Sequence, residues 1–180
     1  MGSIMSWILK KLLKYRYSVV VTNVARSFPE KGYSEPRKIV DGFYDHLGEI
    51  VAEAVWFGGS SHKRVVNSGL VRFTNPELIA EYYEKSPSVT VLSTHCGNWE
   101  LLGGVFAYLD ASGVPYSFGQ NDMKGVYKKL SSPVWDEVFK INRTAPLNKN
   151  EDQCVIESSN ILRYAITHRN EKKIYCYPAD

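Results

Sequence analysis

The sequence predicts an α/β fold: an amino-terminal helical layer, followed by alternating strands and helices that form a largely parallel sheet. Residues 34–57 carry apolar side chains at helical spacing. Residues 89–93, with the sequence Val-Thr-Val-Leu-Ser, form a short apolar run typical of a buried strand. Further strand-like runs and helical segments alternate after residue 58, and this alternation is typical of a parallel sheet covered by helices.

The composition favours one globular domain with a substantial core, since 44% of the 180 residues are hydrophobic and the net charge is only +3. An isoelectric point near 8.6 and the lack of a recognised binding module argue against a nucleic-acid partner. The cysteines Cys96, Cys154 and Cys176 are too few and too scattered to predict a disulfide framework or a zinc site. A reducing environment that faces the cytosol fits this composition best.

The first 33 residues are predicted to be a basic amphipathic segment that lies near a membrane, and residues 34–180 to be the main domain. Residues 1–26 contain five basic side chains and no acidic one. Lysines interrupt the apolar run between Ile4 and Tyr15, so it is far shorter than the roughly 20 apolar residues of a membrane-spanning helix. Trp7 and Tyr15 lie near its ends, as in helices that rest on a bilayer surface. The alternative is an ordinary packed amphipathic helix.

The spacing of apolar residues predicts the remaining elements in chain order. Strands are expected at residues 70–73, 89–93, 114–118 and 173–177, and helices at residues 34–57, 76–85, 98–109 and within 123–142 and 152–168. The chain stops directly after the last strand, at Asp180, so we expect a domain that is incomplete at its carboxyl end. Ligands of open α/β sheets gather beyond the carboxyl ends of the strands, and the functional site is expected there.

The segment from Val91 to Leu102 runs from a buried strand through a polar turn into a helix. It contains His95, which at such a position can accept a proton near neutral pH, and Glu100, whose carboxylate can orient the imidazole. Gly97 permits the tight turn and Asn98 is expected to cap the helix. For an arbitrary pair of this kind a structural role is the commoner explanation, because histidine has many structural uses.

The stretch Thr94-His95-Cys96-Gly97-Asn98-Trp99-Glu100-Leu101-Leu102 closely resembles the H-x4-E block, often written HFGNWELL, of the lipid A biosynthesis (lauroyl/myristoyl) acyltransferases. Four further segments resemble motifs of the same family, at residues 23–29, 43–47, 127–130 and 179–180. The resemblance covers nearly the whole chain. It implies the fold of the glycerolphosphate acyltransferases within the lysophospholipid acyltransferase-like superfamily.

The resemblance implies O-acyl transfer from acyl carrier protein or acyl-CoA to a hydroxyl of a lipid A precursor, at the cytoplasmic face of the bacterial inner membrane. In this scheme His95 removes the proton of the acceptor hydroxyl, Glu100 orients His95, and no cofactor or metal is needed. Arg143 lies near the family's downstream functional arginine, and Asp180 belongs to an Ala-Asp pair of the family. Arg143, Asn98 and Asp180 are therefore expected to bind the oxyanion or the substrate, although Arg143 is equally expected as a surface arginine.

Other functions stay open at this point. A catalytically silent lipid-binding protein of the same fold would keep His95 and Glu100 without using them, and a glycerophospholipid acyltransferase would use a related motif. A metal-dependent hydrolase lacks a further ligand at a suitable spacing. Cys96 as a thiol nucleophile is the lesser hypothesis beside a packing role. A basic group is expected to meet phosphates or an acidic carrier, or to form a solvated helix face: Lys124, Lys128, Lys129, Lys140 and Arg143.

Overall fold

The computed structural model describes residues 2–32, 34–147 and 154–178. The chain forms two compact units, Met1–Trp56 and Phe57–Asp180. The division by packing thus falls near the end of a long helix, whereas the sequence-based division was placed after residue 33. Asp180 and Ala179 lie outside the described residues, so the role predicted for Asp180 stays a prediction.

The first unit is helical. Helix α1 spans Gly2–Trp7 and continues as a π-helical turn, Ile8–Leu12; it is followed by α2, Tyr17–Ser27, and α3, Ser34–Gly58. Helix α3 confirms the helix predicted at residues 34–57. Among the described residues, no helix is both long enough and apolar enough to cross a membrane.

Two small residues bring α1 against α3. A Cβ atom at Gly48 would lie 2.5 Å from the backbone nitrogen of Ser6, so only glycine permits this approach. The hydroxyl of Ser6 donates a 2.7 Å hydrogen bond to Asp45, and Lys10 forms an ion pair with Asp41. The apolar core of this unit consists of the buried side chains of Val20, Val40 and Tyr44 and of partly buried Leu9, Val24 and Leu47. The segment predicted to be amphipathic therefore has a packed side.

The second unit is built on a parallel sheet, which confirms the predicted α/β fold class. The strands are β1, Ser88–Ser93, β2, Met123–Tyr127, β3, Val155–Glu157, and β4, Lys173–Pro178. In the part of the chain that the structure describes, the sheet has four strands in the order β1-β4-β2-β3, and every pair is parallel. The helices are α4, His62–Val66, α5, Glu77–Lys85, α6, Val105–Ser112, α7, Pro133–Thr144, and α8, Ile161–Thr167, with a 3₁₀ helix at Trp99–Gly104.

Several predicted elements were wrong. Residues 70–73 and 114–118 have irregular backbone and are not strands. Phe73 and Phe118 nevertheless pack into the core, and these apolar side chains produced the strand-like pattern in the sequence. Helices α7 and α8 confirm the helices predicted within residues 123–142 and 152–168, but the strands β2 and β3 in the same ranges were not predicted. Strands of five and three residues are too short for apolar spacing to distinguish them from a helical turn.

The predicted helix at 98–109 is replaced by the 3₁₀ helix and α6, which meet at Gly104. A Cβ atom at Gly103 would lie 2.1 Å from the carbonyl oxygen of Arg143, so the 3₁₀ helix rests directly on the backbone at the end of α7. At Gly104 a Cβ atom would lie 2.8 Å from the ring of Tyr108. The two glycines therefore fix where the chain turns from the 3₁₀ helix into α6.

The core of the second unit lies between the sheet and the helices α5 and α6. Its buried side chains are Tyr83, Phe106, Leu109, Phe118, Met123 and Ile174. Leu109 and Ile174 are fully buried. The core thus joins α6 to the two central strands, β2 and β4, and positions the ends of the strands where the candidate site begins.

Candidate active site

The candidate site lies where β1 and β4 end. Ser93, the last residue of β1, pairs with Pro178 of β4, and His95 follows two residues later. Gly97 has a positive φ of 64°, a conformation that favours glycine, which confirms the predicted turn. The 3₁₀ helix then begins at Trp99 and carries Glu100 in its first turn. As expected for a parallel sheet, the polar motif is placed beyond the carboxyl end of a strand.

Glu100 and Arg143 form a partly buried ion pair at the site. The Nε and Nη2 groups of Arg143 donate to the two carboxylate oxygens of Glu100 over 2.5 and 2.7 Å. The side chain of Arg143 is 21% exposed and that of Glu100 is 16% exposed, so solvent screens this pair only in part. Such a two-pronged contact fixes both the position and the plane of the guanidinium. The arginine carried over from the family resemblance thus stands beside the predicted catalytic carboxylate.

Trp99 lies between the predicted base and this ion pair. The exposed ring of His95 meets the ring of Trp99 edge to face, with 5.4 Å between the ring centroids. On the same indole the guanidinium carbon of Arg143 lies 5.1 Å from the ring centroid, and Phe139 lies 5.7 Å from that carbon. The structure therefore joins His95, Trp99, Glu100 and Arg143 in one group. That Glu100 orients His95 stays a prediction, because both carboxylate oxygens of Glu100 engage Arg143.

A cavity of about 810 Å³ opens beside this group. His95, Trp99, Glu100 and Arg143 all line it. Its further lining is mainly apolar and includes Phe73, Leu78, Ile79, Tyr82, Val89, Val91, Leu102, Val105, Phe106, Met123, Val126, Leu130, Leu147 and Cys176. The size and the apolar walls with a few convergent polar groups are typical of a ligand site.

The cavity has a buried floor and an exposed rim. Phe106, Met123 and Val126 form the floor, with exposures of 6%, 7% and 7%. The rim consists of the exposed lining residues, among them His95, Lys128, Leu130, Leu102 and Tyr82. Of the polar group, His95 is therefore exposed at the edge of the apolar lining, whereas Glu100 and Arg143 are mostly buried within it.

The cysteines give no support to a thiol nucleophile. Cys96 is exposed and is not among the lining residues of the cavity. Cys176 does line the cavity, but burial raises the pKa of its thiol to about 12. A thiol with that pKa stays protonated near neutral pH and is a poor nucleophile.

The residues of the predicted basic group differ in their exposure to solvent. Lys124 is 3% exposed within the central strand β2, and burial lowers the pKa of its ammonium group. Its expected role in meeting phosphates or a carrier protein was therefore wrong. Lys128 and Lys129 are exposed after β2, and Lys128 also lines the cavity. The role predicted for Lys128, Lys129, Lys140 and Arg143 stays a prediction.

Asn98 occupies the predicted N-cap position of the 3₁₀ helix, but its side chain forms no capping hydrogen bond among the described residues. No group of three or more side chains suited to hold a metal ion occurs within residues 2–32, 34–147 and 154–178. The residue that sequence reasoning missed is Gly103, whose lack of a Cβ atom lets the backbone of the motif touch that of Arg143. The adjacent glycines after Leu102 were the available signal.

Residues 1–179 match the sequence model of one family, the bacterial lipid A biosynthesis acyltransferases. The chain belongs to this family. No curated protein matches it. The chain is thus an acyltransferase of lipid A biosynthesis, and its family implies a lipid A precursor and an acyl donor as substrates. The candidate site of this acyltransferase combines an apolar cavity with a few polar lining residues.

Proposed function

We propose that this acyltransferase moves a fatty acyl chain from a thioester of acyl carrier protein or coenzyme A to a hydroxyl of a lipid A precursor. The apolar cavity of about 810 Å³ with His95, Glu100 and Arg143 in its lining carries the proposal. A fatty chain gains free energy for each methylene group that it buries, about 0.8 kcal/mol. With the chain buried on the cavity floor, the thioester carbonyl lies at the rim, beside the polar group.

In the proposed reaction His95 is the general base. Its imidazole takes the proton of the acceptor hydroxyl while the hydroxyl oxygen attacks the thioester carbonyl. The tetrahedral intermediate collapses, the carbon–sulfur bond breaks, and the leaving thiolate takes the proton from the imidazolium. The products are an ester and a free thiol. The reaction forms no acyl-enzyme and uses no cofactor.

Arg143 is proposed to stabilise the oxyanion or to hold a phosphate of the substrate. Two of its N–H groups donate to Glu100, and its other N–H groups are not used in those bonds. A guanidinium held in a fixed plane before the reaction stabilises negative charge without reorganising. Glu100 fixes the position of Arg143 and is proposed to orient His95 as well. Asn98 and Asp180 are proposed to bind substrate, as the family resemblance implies.

The amino-terminal unit supports a position at the membrane. Ile4, Trp7, Leu12 and Leu13 are 66%, 59%, 68% and 62% exposed, and lysines stand among them. Exposed apolar side chains with interspersed lysines are typical of a helix that lies on an anionic bilayer. We propose that this membrane is the bacterial inner membrane and that the protein lies at its cytoplasmic face, as the family resemblance implies. Lys128 and Lys129 would meet an acidic carrier protein or the phosphates of the acceptor.

The proposed function is tested with a panel of radiolabelled acyl donors and two acceptors. Acyl carrier protein and coenzyme A thioesters are offered with a detergent-solubilised lipid A precursor or with a lysophospholipid. Transfer to the lipid A precursor is expected. Transfer to the lysophospholipid alone would make the protein a glycerophospholipid acyltransferase. Binding of the acyl chain without transfer from any donor would make it a lipid-binding protein and end the proposal.

A further inference from the structure

The cavity of the candidate site carries an excess of positive charge. Among the described residues, its charged lining side chains are Arg72, Glu100, Lys128 and Arg143. Two N–H groups of Arg143 bind both carboxylate oxygens of Glu100, so these two charges offset each other. Arg72 and Lys128 are exposed, and their side chains form no ion pair and no hydrogen bond with any described residue. The mainly apolar lining therefore carries two positive charges that no counter-charge balances.

The topology places Arg72 at the edge of the sheet where the candidate site lies. Lys172, just before β4, donates to the carbonyl oxygens of Tyr83 and Glu84 over 3.1 and 2.9 Å, so α5 ends at the opposite edge. Because α5 packs against β1, it begins near the edge where β1 ends. Arg72 precedes α5 closely in the chain and lines the same cavity as His95.

The backbone at Arg72 is anchored to the motif that carries Glu100. Phe73, the next residue, meets the ring of Tyr108 edge to face, with 5.8 Å between the ring centroids. The hydroxyl of Tyr108 donates a buried 2.9 Å hydrogen bond to the carbonyl oxygen of Leu101, which follows Glu100. A cation on a fixed backbone binds an anion at a smaller cost in conformational entropy.

Lys128 reaches the same edge of the sheet from another strand. It directly follows β2, and in the described sheet β4 alone separates β2 from β1. Neighbouring strands lie about 4.8 Å apart, so the ends of β1 and β2 are about 10 Å apart. One cation therefore enters the cavity lining from the side of β1 and the other from the side of β2.

Two cations beside an apolar space fit a ligand that joins a hydrocarbon chain to a phosphate. A guanidinium matches two phosphate oxygens at once, and an ammonium group binds phosphate as a point charge. A phosphate monoester carries nearly two negative charges at neutral pH, which balance the charges of Arg72 and Lys128. The apolar walls would cover the hydrocarbon chain.

We propose that Arg72, together with Lys128, forms a subsite that binds a phosphate group of a substrate. The inference rests on the proposed function in assigning this phosphate to the lipid A precursor or to the phosphopantetheine arm of the acyl donor. Binding of a phosphate amphiphile requires no acyl transfer, so failure of this proposal and failure of the proposed function are distinguishable.

The test measures binding of octyl phosphate and of octanol by isothermal titration calorimetry. The full chain is compared with Arg72→Gln and with the matched control Arg163→Gln, whose arginine is exposed on α8 and does not line the cavity. Thermal unfolding establishes that both variants fold. Arg72→Gln is expected to bind octyl phosphate about tenfold more weakly than the wild type and octanol equally well, because only a charge-assisted contact is lost. Arg163→Gln is expected to bind both probes as the wild type does.

Unchanged binding of octyl phosphate by Arg72→Gln would overturn the proposal, and so would an equal loss of affinity for both probes. The source of the phosphate follows from two further pairs of ligands: acyl-phosphopantetheine and acyl-pantetheine, and the lipid A precursor and its dephosphorylated form. A loss of affinity in Arg72→Gln that is confined to one phosphorylated ligand supports the subsite and assigns it to that substrate. The same loss with and without phosphate in both pairs would contradict it.

Discussion

At the scale of single residues, the site depends on an ion pair that joins two distant parts of the chain. Glu100 and Arg143 are 43 residues apart. The motif and its family resemblance identified both residues. However, no pattern in the sequence predicts that Glu100, on the 3₁₀ helix, contacts Arg143, at the end of α7. The ring of Trp99 packs against both His95 and Arg143. The local chemistry was predictable and the pairing was not.

A double-mutant cycle measures the ion pair. We expect Glu100→Gln and Arg143→Gln to be coupled by about 1–2 kcal/mol in the free energy of unfolding, because both hydrogen bonds are charge-assisted and partly buried. The matched control is the cycle of Glu81→Gln and Lys85→Gln, whose side chains are 49% and 67% exposed. Its coupling is expected to be markedly weaker, because solvent screens an exposed pair. Equal coupling in the two cycles would show that Glu100 and Arg143 do not form the pair described above.

Cys176 gives the protein a specific dependence on pH. Burial raises the pKa of its thiol from 9.0 to about 12, so the folded state favours the protonated form. This contribution to stability is complete below about pH 9 and is lost as the pH rises towards 12, because the unfolded thiol ionises first. In Cys176→Ala the free energy of unfolding is therefore expected to fall less steeply over that window than in the wild type. Parallel curves from denaturant titrations would contradict the burial of the thiol.

At the scale of secondary structure, close backbone contact sets the geometry of the site. We expect Gly103→Ala to destabilise the protein by about 1–3 kcal/mol and to lower acyl transfer, because its new methyl group displaces the end of α7. The matched control is Gly42→Ala in α3, where a Cβ atom meets nothing within 4 Å. That variant is expected to be neutral or to stabilise the protein by up to about 1 kcal/mol. Equal free energies of unfolding for the two variants would refute the close approach.

The accuracy of the sequence prediction followed the length of each element. The 25-residue helix α3 and the strands β1 and β4 were predicted correctly, because long or strongly apolar runs carry a clear period. Strand β2 was missed since Lys124 is buried within it, and a buried lysine contradicts the usual strand pattern. Phe118 packs in the core but belongs to no strand, and the apolar residues around it led to the wrong prediction of a strand at residues 114–118.

At the scale of the whole molecule, the cavity is a feature that the sequence alone did not predict. Its walls come from elements between Arg72 and Pro178, and no linear pattern predicts the space that they leave. The family resemblance implied an acyl substrate, and the cavity provides an apolar volume next to the motif. The fold class was predictable from alternation alone, whereas the depth of the pocket depends on packing.

Filling the cavity is expected to change the preferred acyl chain. Val91 lines the cavity from β1 and packs against the core, so Val91→Phe shortens the space available to a chain. We expect the specificity constant kcat/KM to fall for long acyl donors and to hold for short ones, because each excluded methylene group loses about 0.8 kcal/mol of burial. The control Leu162→Phe changes a side chain that is 71% exposed on α8. An unchanged ranking of donors in Val91→Phe would place the acyl chain elsewhere.

The most direct test of the central claim, that His95 is the base for acyl transfer at this cavity, is a single-turnover measurement. Radiolabelled acyl donor and the lipid A precursor are mixed with excess enzyme, as wild type, His95→Ala and the matched control His168→Ala. We expect His95→Ala to bind the donor as the wild type does and to transfer it at least about 100-fold more slowly, with His168→Ala unaffected. Transfer by His95→Ala at the wild-type rate would contradict the account.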